Sequence, residues 1–272
     1  MFRPIKTAMI AIALTLVPVL SFAQNAPTSR PAPALKSEAP DVPIEKVAAG
    51  GRPDTGFMRL HNQYVADAKK GNIDLYMLGD SITDFWQHNH KANWDRNLGG
   101  FKAGDFGISG DRTEHVLWRI ENGELDGVTP KAIVLLIGTN NLPANTVYTA
   151  NTVEGTFKGV KAIVDKLKEK QPQAHILLLA VFPRADTRYG DQTLKVNALN
   201  KLLPQLDDGK QVKFMNINDK FADPDGKLIP GVLLSDNLHP SDRGYDLWAS
   251  AIRPTLIEWL GEPSPSPKPP AN

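Results

Sequence analysis

The amino-acid sequence predicts an α/β fold, a three-layer α/β/α sandwich with a central parallel sheet of about five strands. Short apolar runs recur along the chain, and stretches with helical spacing separate them. Nearly continuous apolar runs indicate strands buried on both faces, and strands that alternate with helices imply right-handed crossovers and parallel pairing. A length of 272 residues suits one domain of this kind.

The predicted strands are the apolar runs at residues 73–78, around Phe106, and at residues 132–137, 175–182 and 212–217. Two other stretches carry apolar residues at intervals of three and four. These are Val153, Phe157, Val160, Val164 and Leu167, and then Tyr245, Trp248, Ile252, Leu256 and Trp259. Each stretch is predicted to be an amphipathic helix that packs one face on the sheet.

The first 23 residues have the pattern of a secretory signal peptide. Arg3 and Lys6 precede an apolar run at residues 8–20, and the small residues Ser21 and Ala23 follow it. A membrane anchor is the alternative, but a spanning helix needs about 20 apolar residues, more than this run supplies. We therefore expect cleavage after Ala23 and a secreted or periplasmic protein without a stable membrane anchor.

Segments rich in Ala, Pro and Ser flank the predicted domain. Residues 24–45 are predicted to be a linker and residues 263–272 a Pro-rich tail. Their composition supplies too little apolar surface to order these segments, and the tail favours an extended polyproline conformation. The folded domain is expected over residues 46–262.

Charge and cysteine content exclude several classes of function. With 31 Lys and Arg residues against 30 Asp and Glu residues, the formal net charge is +1, and no basic stripe is present. A nucleic-acid partner is therefore not expected. Cysteine is absent, so the protein cannot use disulfides, a thiol nucleophile or thiolate metal ligands.

Polar motifs follow four of the predicted strands. The motif GDS comes after the first strand, GISGD after the second, GTNN after the third and DNLHP beyond the fifth. Open parallel sheets bind their ligands outside the carboxyl ends of the strands. The four motifs are therefore expected to meet at one edge of the sheet.

Ser81, His239 and Asp236 form a candidate catalytic triad. A serine hydroxyl becomes a good nucleophile only when a base takes its proton, and histidine is the base that suits neutral pH. Asp236 lies three residues before His239, close enough for both to project from one turn. The carboxylate can then hold the imidazole in the correct tautomer and stabilise its charged form.

Attack on an ester carbonyl builds negative charge on the carbonyl oxygen, and three groups are candidate donors to it. They are the backbone N–H groups of Ser81 and Gly110 and the side-chain amide of Asn140. Glycine lets the backbone approach a ligand closely, and asparagine donates a hydrogen bond without carrying a charge. The sequence thus predicts an oxyanion hole beside the candidate triad.

The blocks GDSIT, GISGDRTEHVLWRIENGEL, IGTNN and DNLHP, in this order, resemble the four blocks of the SGNH or GDSL hydrolase family. Within that family they are similar to the catalytic subunits of platelet-activating factor acetylhydrolase and their bacterial relatives. The similarity covers residues 71–259, with Ile82 in place of the usual leucine after GDS. It implies a flavodoxin-like sandwich that needs no cofactor. The family's nucleophile, acid, base and two oxyanion groups fall on Ser81, Asp236, His239, Gly110 and Asn140.

Other polar residues beside the motifs are interpreted as structural. Asp80 is expected to make local hydrogen bonds, and Asn141 is expected to shape its loop. Surface or loop hydrogen bonds, without substrate contact, are expected for Asp111, Arg112 and Arg243.

The histidines near the motifs and Trp118 are interpreted as structural, and a metal site is considered only for His88 and His90. His115 and Trp118 lie in an apolar helical pattern, which predicts a helix packed near the site with Trp118 in the core. His88 and His90 have acidic neighbours but no metal-ligand spacing. A solvated loop is predicted there, and no metal is expected.

The leading functional prediction is an exported serine esterase that cleaves short-chain esters. The favoured substrate is an acetyl ester of a carbohydrate or small alcohol, because Ile82 after the nucleophile and Leu238 before the base are expected to wall a small acyl pocket. A lipid-directed or thioester-directed acyl hydrolase is one alternative. A non-catalytic carbohydrate-binding homologue is another, although the full set of catalytic residue types disfavours it.

Overall fold

The structure, a computed structural model that describes residue 36 and residues 38–185 and 192–264, is built on a parallel sheet. Within these ranges its five strands are β1 (Leu75–Gly79), β2 (Ala103–Gly107), β3 (Ala132–Leu136), β4 (His175–Leu179) and β5 (Val212–Met215). They lie in the order β2-β1-β3-β4-β5, and all neighbouring pairs are parallel. The predicted parallel sheet is confirmed.

Seven α-helices surround the sheet in the part of the chain that the structure describes. They are α1 (Thr55–Lys70), α2 (Ser81–His88), α3 (Lys91–Leu98), α4 (Thr113–Arg119), α5 (Val153–Lys170), α6 (Thr193–Leu202) and α7 (Asp242–Leu260). Helices α5 and α7 coincide with the two predicted amphipathic stretches. The side chains of Thr152 and Ser241 cap their N-termini by accepting hydrogen bonds from the N–H groups of Gly155 and Gly244.

Separate hydrophobic cores lie on the two faces of the sheet. Side chains alternate along a strand, so β1 places Tyr76 and Leu78 in one core and Leu75 and Met77 in the other. Helices α1, α4, α5 and α6 contribute to the first core, and α2, α3 and α7 contribute to the second. The sheet is therefore buried on both faces, which confirms the predicted three-layer sandwich.

The strand order places the polar motifs at one crevice. The chain passes from β1 to β2 on one side and returns to β3 on the other, which opens a crevice at the carboxyl ends of β1 and β3. Gly107 at the end of β2 lets α2 approach, because a Cβ atom there would lie 2.3 Å from the Asp84 nitrogen and 2.7 Å from the Asp80 oxygen. Helix α2 therefore starts directly at this edge of the sheet.

Residues 38–45, the described end of the predicted linker, contact the domain. The Pro40 carbonyl accepts a hydrogen bond from the Thr113 hydroxyl at 2.8 Å. The Ile44 N–H donates to the Glu114 carbonyl at 3.2 Å. These contacts use backbone groups, which any residue type carries, so the composition of the segment did not indicate them.

Both ends of the chain fall largely outside the described residues. The predicted signal peptide at residues 1–23 lies there, as do residues 24–35 of the predicted linker and residues 265–272 of the predicted tail. Ser264 is described, and its N–H donates to the Gly100 carbonyl at 3.0 Å. The predicted tail thus begins in contact with the turn that precedes β2.

Candidate active site

Ser81 is the first residue of α2 and lies two positions after the end of β1. Its neighbour Asp80 caps the helix, since the Asp80 carboxylate accepts a hydrogen bond from the Ile82 N–H at 2.9 Å. Asp80 is 1% exposed, and burial raises its pKa to about 7. The local hydrogen-bonding role expected for Asp80 is confirmed, and it holds Ser81 at the sheet edge.

Ser81, His239 and Asp236 are joined in a hydrogen-bonded series. His239 Nε2 lies 2.9 Å from Ser81 Oγ, and His239 Nδ1 lies 2.6 Å from Asp236 Oδ2. Ser81 and His239 are both buried, each with 7% of its surface exposed. The structure therefore brings together all three residues of the predicted triad, although Ser81 and His239 are 158 positions apart.

The aspartate also orders the loop that carries the histidine. Asp236 Oδ1 accepts hydrogen bonds from the N–H groups of Leu238 at 3.0 Å and His239 at 3.1 Å. Burial acts to raise the pKa of Asp236, but these bonds and the bond from the His239 ring lower it below its usual value. Asp236 is therefore ionised at neutral pH. The Phe85 ring stacks on the imidazole with centroids 4.4 Å apart, which further fixes its orientation.

Gly110 and Asn140, the other two predicted oxyanion residues, lie beside one another. Asn140 Nδ2 donates to the Asp111 carbonyl at 3.0 Å, so the amide is held next to the residue that follows Gly110. Gly110 has a φ of +77°, a left-handed conformation that glycine adopts without strain. The residue is exposed.

Asn141 shapes the loop after β3, as predicted. Its Oδ1 accepts from the Thr113 N–H at 3.0 Å, and its Nδ2 donates to Glu114 Oε2 at 2.9 Å and to Asn151 Oδ1 at 3.0 Å. The side chain is fully buried. Asn140 and Asn141 therefore differ in role, since the amide of Asn141 is used within the fold.

Asp111 and Arg112 lie in the loop between β2 and α4, one of the two settings expected for them, but not at the surface. Both residues are 0% exposed. Arg112 forms an ion pair with Glu114 at 2.8 Å and donates to the Thr149 carbonyl at 3.0 Å. Arg243 does lie at the surface, where it donates to the Pro230 carbonyl at 2.9 Å, so the expectation holds for that residue.

Arg119, which the sequence analysis did not single out, connects the parts of the site. Its guanidinium is fully buried and forms ion pairs with Asp111 Oδ2 at 2.9 Å and with Glu124 Oε1 at 2.6 Å. It also donates to the carbonyls of Phe106 at 3.0 Å and Gly79 at 3.3 Å, the ends of β2 and β1. Burial raises the pKa of Asp111 to about 6, although Arg119 and Lys46 act to lower it. An arginine inside the apolar run HVLWRI was the sequence pattern that could have indicated this network.

His115 and Trp118 occupy the packed helix that was predicted for them. His115 is fully buried in α4, where its Nδ1 accepts from the Arg112 N–H at 3.1 Å. Burial lowers its pKa well below the usual value, so the ring is neutral. Trp118 is half-buried and packs against the first core. Neither residue contacts the triad through a described hydrogen bond.

The predicted solvated loop is wrong for His88, which is the last residue of α2, whereas His90 lies in the link between α2 and α3. Each of these histidines pairs with a single carboxylate. His88 Nδ1 lies 2.7 Å from Asp84 Oδ1, and His90 Nδ1 lies 2.8 Å from Asp242 Oδ1. Within residues 36, 38–185 and 192–264, no group of three or more His, Asp and Glu side chains is placed to hold a metal ion.

Ile82 and Leu238, the predicted acyl-pocket residues, both belong to the second core. They are 1% and 5% exposed, respectively. The Tyr245 hydroxyl donates to the Ile82 carbonyl at 2.9 Å, which ties α7 to the first turn of α2. The two side chains therefore flank the nucleophile and base in the sequence and share one packed environment.

A cavity of about 670 Å³ lies at the carboxyl ends of β4 and β5, where Pro183 and Asn218 contribute to its wall. The remaining wall comes from α6 and from the loop after β5, including Thr193, Asp219 and Ile229. The described residues of the candidate triad and oxyanion hole are not part of this wall. The cavity and the triad are thus different features of the same sheet edge.

A Ser–His–Asp series at the carboxyl edge of a parallel sheet is the arrangement of a serine hydrolase of the α/β/α class. Residues 77–247 match the GDSL-like Lipase/Acylhydrolase family. Platelet-activating factor acetylhydrolase IB subunit alpha1 of Bos taurus is 34% identical over 238 residues, 84% of this chain and 95% of the relative. The alpha2 subunit of Rattus norvegicus is 34% identical over 212 residues, 77% of this chain and 87% of the relative.

The chain belongs to the GDSL-like lipase and acylhydrolase family, as the sequence motifs indicated, and it is a carboxylic ester hydrolase. A solved structure supports the fold. The GDSL-like lipase of Bacteroides thetaiotaomicron superposes with a TM-score of 0.60 at 21% identity, covering 74% of this chain and 97% of that chain. The hydrogen-bonded triad further disfavours the interpretation as a non-catalytic homologue.

We predict that Arg119→Met lowers the free energy of unfolding by about 3–5 kcal/mol, because the buried carboxylate of Glu124 loses its arginine partner and that of Asp111 keeps only Lys46. Arg96→Met is the matched control, since Arg96 forms an exposed ion pair with Asp246, and it should cost less than about 1 kcal/mol. Urea denaturation of both variants measures the difference. Equal losses would show that the buried network does not hold the site together.

Proposed function

We propose that the protein hydrolyses short-chain carboxylic esters, acetyl esters first, through an acyl-enzyme on Ser81. The observation that carries the proposal is the series from Ser81 Oγ through the His239 ring to Asp236, with separations of 2.9 Å and 2.6 Å. Both distances are within hydrogen-bonding range, so the proton of the nucleophile has a base already in place. The alcohol half of the favoured substrate is a carbohydrate or a small alcohol.

In the acylation step, His239 Nε2 takes the proton of Ser81 while Ser81 Oγ attacks the ester carbonyl carbon. The imidazole becomes positively charged, and the ionised carboxylate of Asp236 stabilises that charge through Nδ1. The same proton is then donated to the alkoxide that leaves, which releases the alcohol. The acyl group remains on Ser81 Oγ.

The oxyanion formed in this step is proposed to accept hydrogen bonds from three donors. They are the backbone N–H groups of Ser81 and Gly110 and the side-chain amide of Asn140. The hydrogen bond from Asn140 to the Asp111 carbonyl uses one amide hydrogen and leaves the other for the oxyanion. Water, deprotonated by His239, then attacks the acyl-enzyme, and the same donors stabilise the second oxyanion. When this oxyanion collapses, the bond between the acyl carbon and Ser81 Oγ breaks, Oγ takes the proton back from His239, and the carboxylic acid is released. No step requires a cofactor.

The short acyl preference rests on the packing around the nucleophile. Ile82 and Leu238 are both buried in one core, so a longer acyl chain between them would have to displace packed atoms. Two of the similar proteins are named acetylhydrolases, which supports acetyl as the acyl group. The same names support a second candidate, an acetylated lipid as the substrate, in place of a carbohydrate or a small alcohol.

Export is a further part of the proposal. The pattern of Arg3, Lys6 and the apolar run at residues 8–20 supports a cleaved signal peptide and a secreted or periplasmic protein. In the described part of the chain, no helix is long and apolar enough to cross a membrane. Expression in a bacterium with a Sec pathway should yield a mature chain that begins at Gln24. Recovery of the intact N-terminus from the cytoplasm alone would contradict export.

We predict that Ser81→Ala abolishes hydrolysis of p-nitrophenyl acetate and that Asn140→Ala lowers kcat by roughly 10²- to 10³-fold, the usual effect of one lost oxyanion donor. Asn122→Ala removes an amide from the surface, where its described hydrogen bond is to the Trp118 carbonyl, and should leave kcat unchanged. Circular dichroism confirms that each variant is folded. Activity in folded Ser81→Ala would exclude it as the nucleophile.

We predict that acetate esters are cleaved faster than butyrate esters and that octanoate esters are scarcely cleaved. Leu238→Ala should shift this preference toward longer chains by about 10-fold or more, since it removes one wall of the acyl pocket. Leu256→Ala, which opens the same core away from the nucleophile, should lower stability without changing the chain-length profile. The measurement is kcat/KM for acetyl, butyryl and octanoyl p-nitrophenyl esters.

An octanoate preference in the unmodified enzyme would favour the alternative, a longer-chain lipid or thioester hydrolase. The same esters presented on xylose, on glycerol and on a lysophospholipid would then separate the carbohydrate, small-alcohol and lipid candidates by their kcat/KM values.

A further inference from the structure

Lys46 lies outside every sequence motif described above, yet its side chain reaches the loop that carries Gly110. The residue is 9% exposed. Its ammonium donates to the Ser109 carbonyl at 2.5 Å and to Asp111 Oδ1 at 3.3 Å, across 63 and 65 positions of sequence. Lys46 therefore binds the residue on either side of Gly110.

The bond to Ser109 determines where the Gly110 N–H points. A peptide unit is planar, and in the trans form its C=O and N–H point in opposite directions. The Ser109 carbonyl and the Gly110 N–H belong to the same peptide unit, so a carbonyl held toward Lys46 directs the N–H away from Lys46. Glycine has no side chain to restrict its backbone, so this orientation depends on outside contacts.

The charge of Lys46 acts on the same peptide unit. Hydrogen bonds from a charged donor are stronger than those between neutral groups, and bonded groups polarise one another along a chain. An ammonium on the Ser109 carbonyl therefore makes the Gly110 N–H a stronger donor. A neutral amide in place of the ammonium would supply orientation with less polarisation.

Contacts on both sides of Lys46 fix its position. The Ile44 N–H donates to the Glu114 carbonyl at 3.2 Å, and the Val47 N–H donates to the Tyr148 hydroxyl at 3.0 Å. A buried ammonium is costly unless its partners are in place, and Asp111 supplies the countercharge. The segment before α1 is thus bonded to the rest of the domain on both sides of Lys46.

We propose that Lys46 is a positioning residue for the oxyanion hole, which orients and polarises the Gly110 N–H through the Ser109 carbonyl. This role rests on the proposed function, in which Gly110 donates to the oxyanion. The interaction is needed most when negative charge develops on the substrate oxygen. Loss of Lys46 should therefore affect transition-state binding more than substrate binding.

The test compares Lys46→Met with Lys46→Arg in the full chain. Lys46→Met should lower kcat for p-nitrophenyl acetate about 10- to 100-fold, less than deletion of a donor, while KM changes by less than about twofold. Lys46→Arg keeps a charged donor and should recover part of the rate. Lys36→Met is the control in the same segment, because Lys36 is part-exposed and lies 3.9 Å from Glu38, and its kcat should equal that of the unmodified enzyme.

A second measurement separates this role from a structural one. An alkylboronic acid adds to a serine hydroxyl as a tetrahedral anion, so its Kd should rise in Lys46→Met by about the factor by which kcat falls. All values are expressed per folded molecule, with the folded fraction taken from near-UV circular dichroism. If Lys46→Met does not fold, Lys46→Leu, which also lacks a hydrogen-bond donor, replaces it under the same criterion.

Unchanged kcat and unchanged boronate affinity in the folded variant would overturn the role of Lys46. So would a loss in kcat that disappears after correction for the folded fraction. Asn140→Ala distinguishes this failure from failure of the proposed function. If Asn140→Ala loses activity and Lys46→Met does not, only the lysine proposal fails, whereas full activity in Asn140→Ala overturns the oxyanion assignment itself.

Discussion

The buried guanidinium of Arg119 is the constraint on which the site depends. A cation without access to water must be neutralised and hydrogen-bonded within the protein, and here the partners are two carboxylates and two strand ends. Asp111 belongs to the loop after β2, and Glu124 belongs to the turn after α4. The carbonyls of Gly79 and Phe106 belong to β1 and β2, so Arg119 contacts all four elements. Any displacement of these parts would leave a buried charge uncompensated, so their relative positions are closely determined.

Within the framework that Arg119 holds together, short-range contacts order the reacting groups. Asp80 caps the helix that begins with Ser81, and Asp236 bonds the backbone of the loop that carries His239. The amide of Asn140 is held by the Asp111 carbonyl, the same residue that pairs with Arg119. Groups ordered before substrate arrives need little reorganisation during the reaction, which is how fixed donors stabilise a developing charge. The buried ion pairs of Arg119 and the candidate oxyanion residue Asn140 are therefore parts of one hydrogen-bonded network.

Much of this architecture could be predicted from the sequence, because it depends on apolar patterning and on the order of four motifs. The strand runs, the two long amphipathic helices and the meeting of Ser81 with His239 all follow from these patterns. The buried charge network could not be predicted in the same way. Asp111 and Arg119 are eight positions apart and look like ordinary polar residues, and Lys46 finds its partners more than sixty positions away. The composition of residues 38–45 predicts a linker because it reflects only the small number of apolar side chains, whereas this segment contacts the domain through backbone hydrogen bonds.

The nucleophile and the base are separated by 158 positions, and this separation determines when during synthesis and folding the chain becomes active. A ribosome synthesises Ser81 early and His239 late, and α7, whose tyrosine anchors the first turn of α2, comes last. A polypeptide that ends before His239 therefore carries Ser81 without its base. Ester cleavage becomes possible only after Ser81 and His239 have been brought together, so turnover reports that this part of the domain has folded.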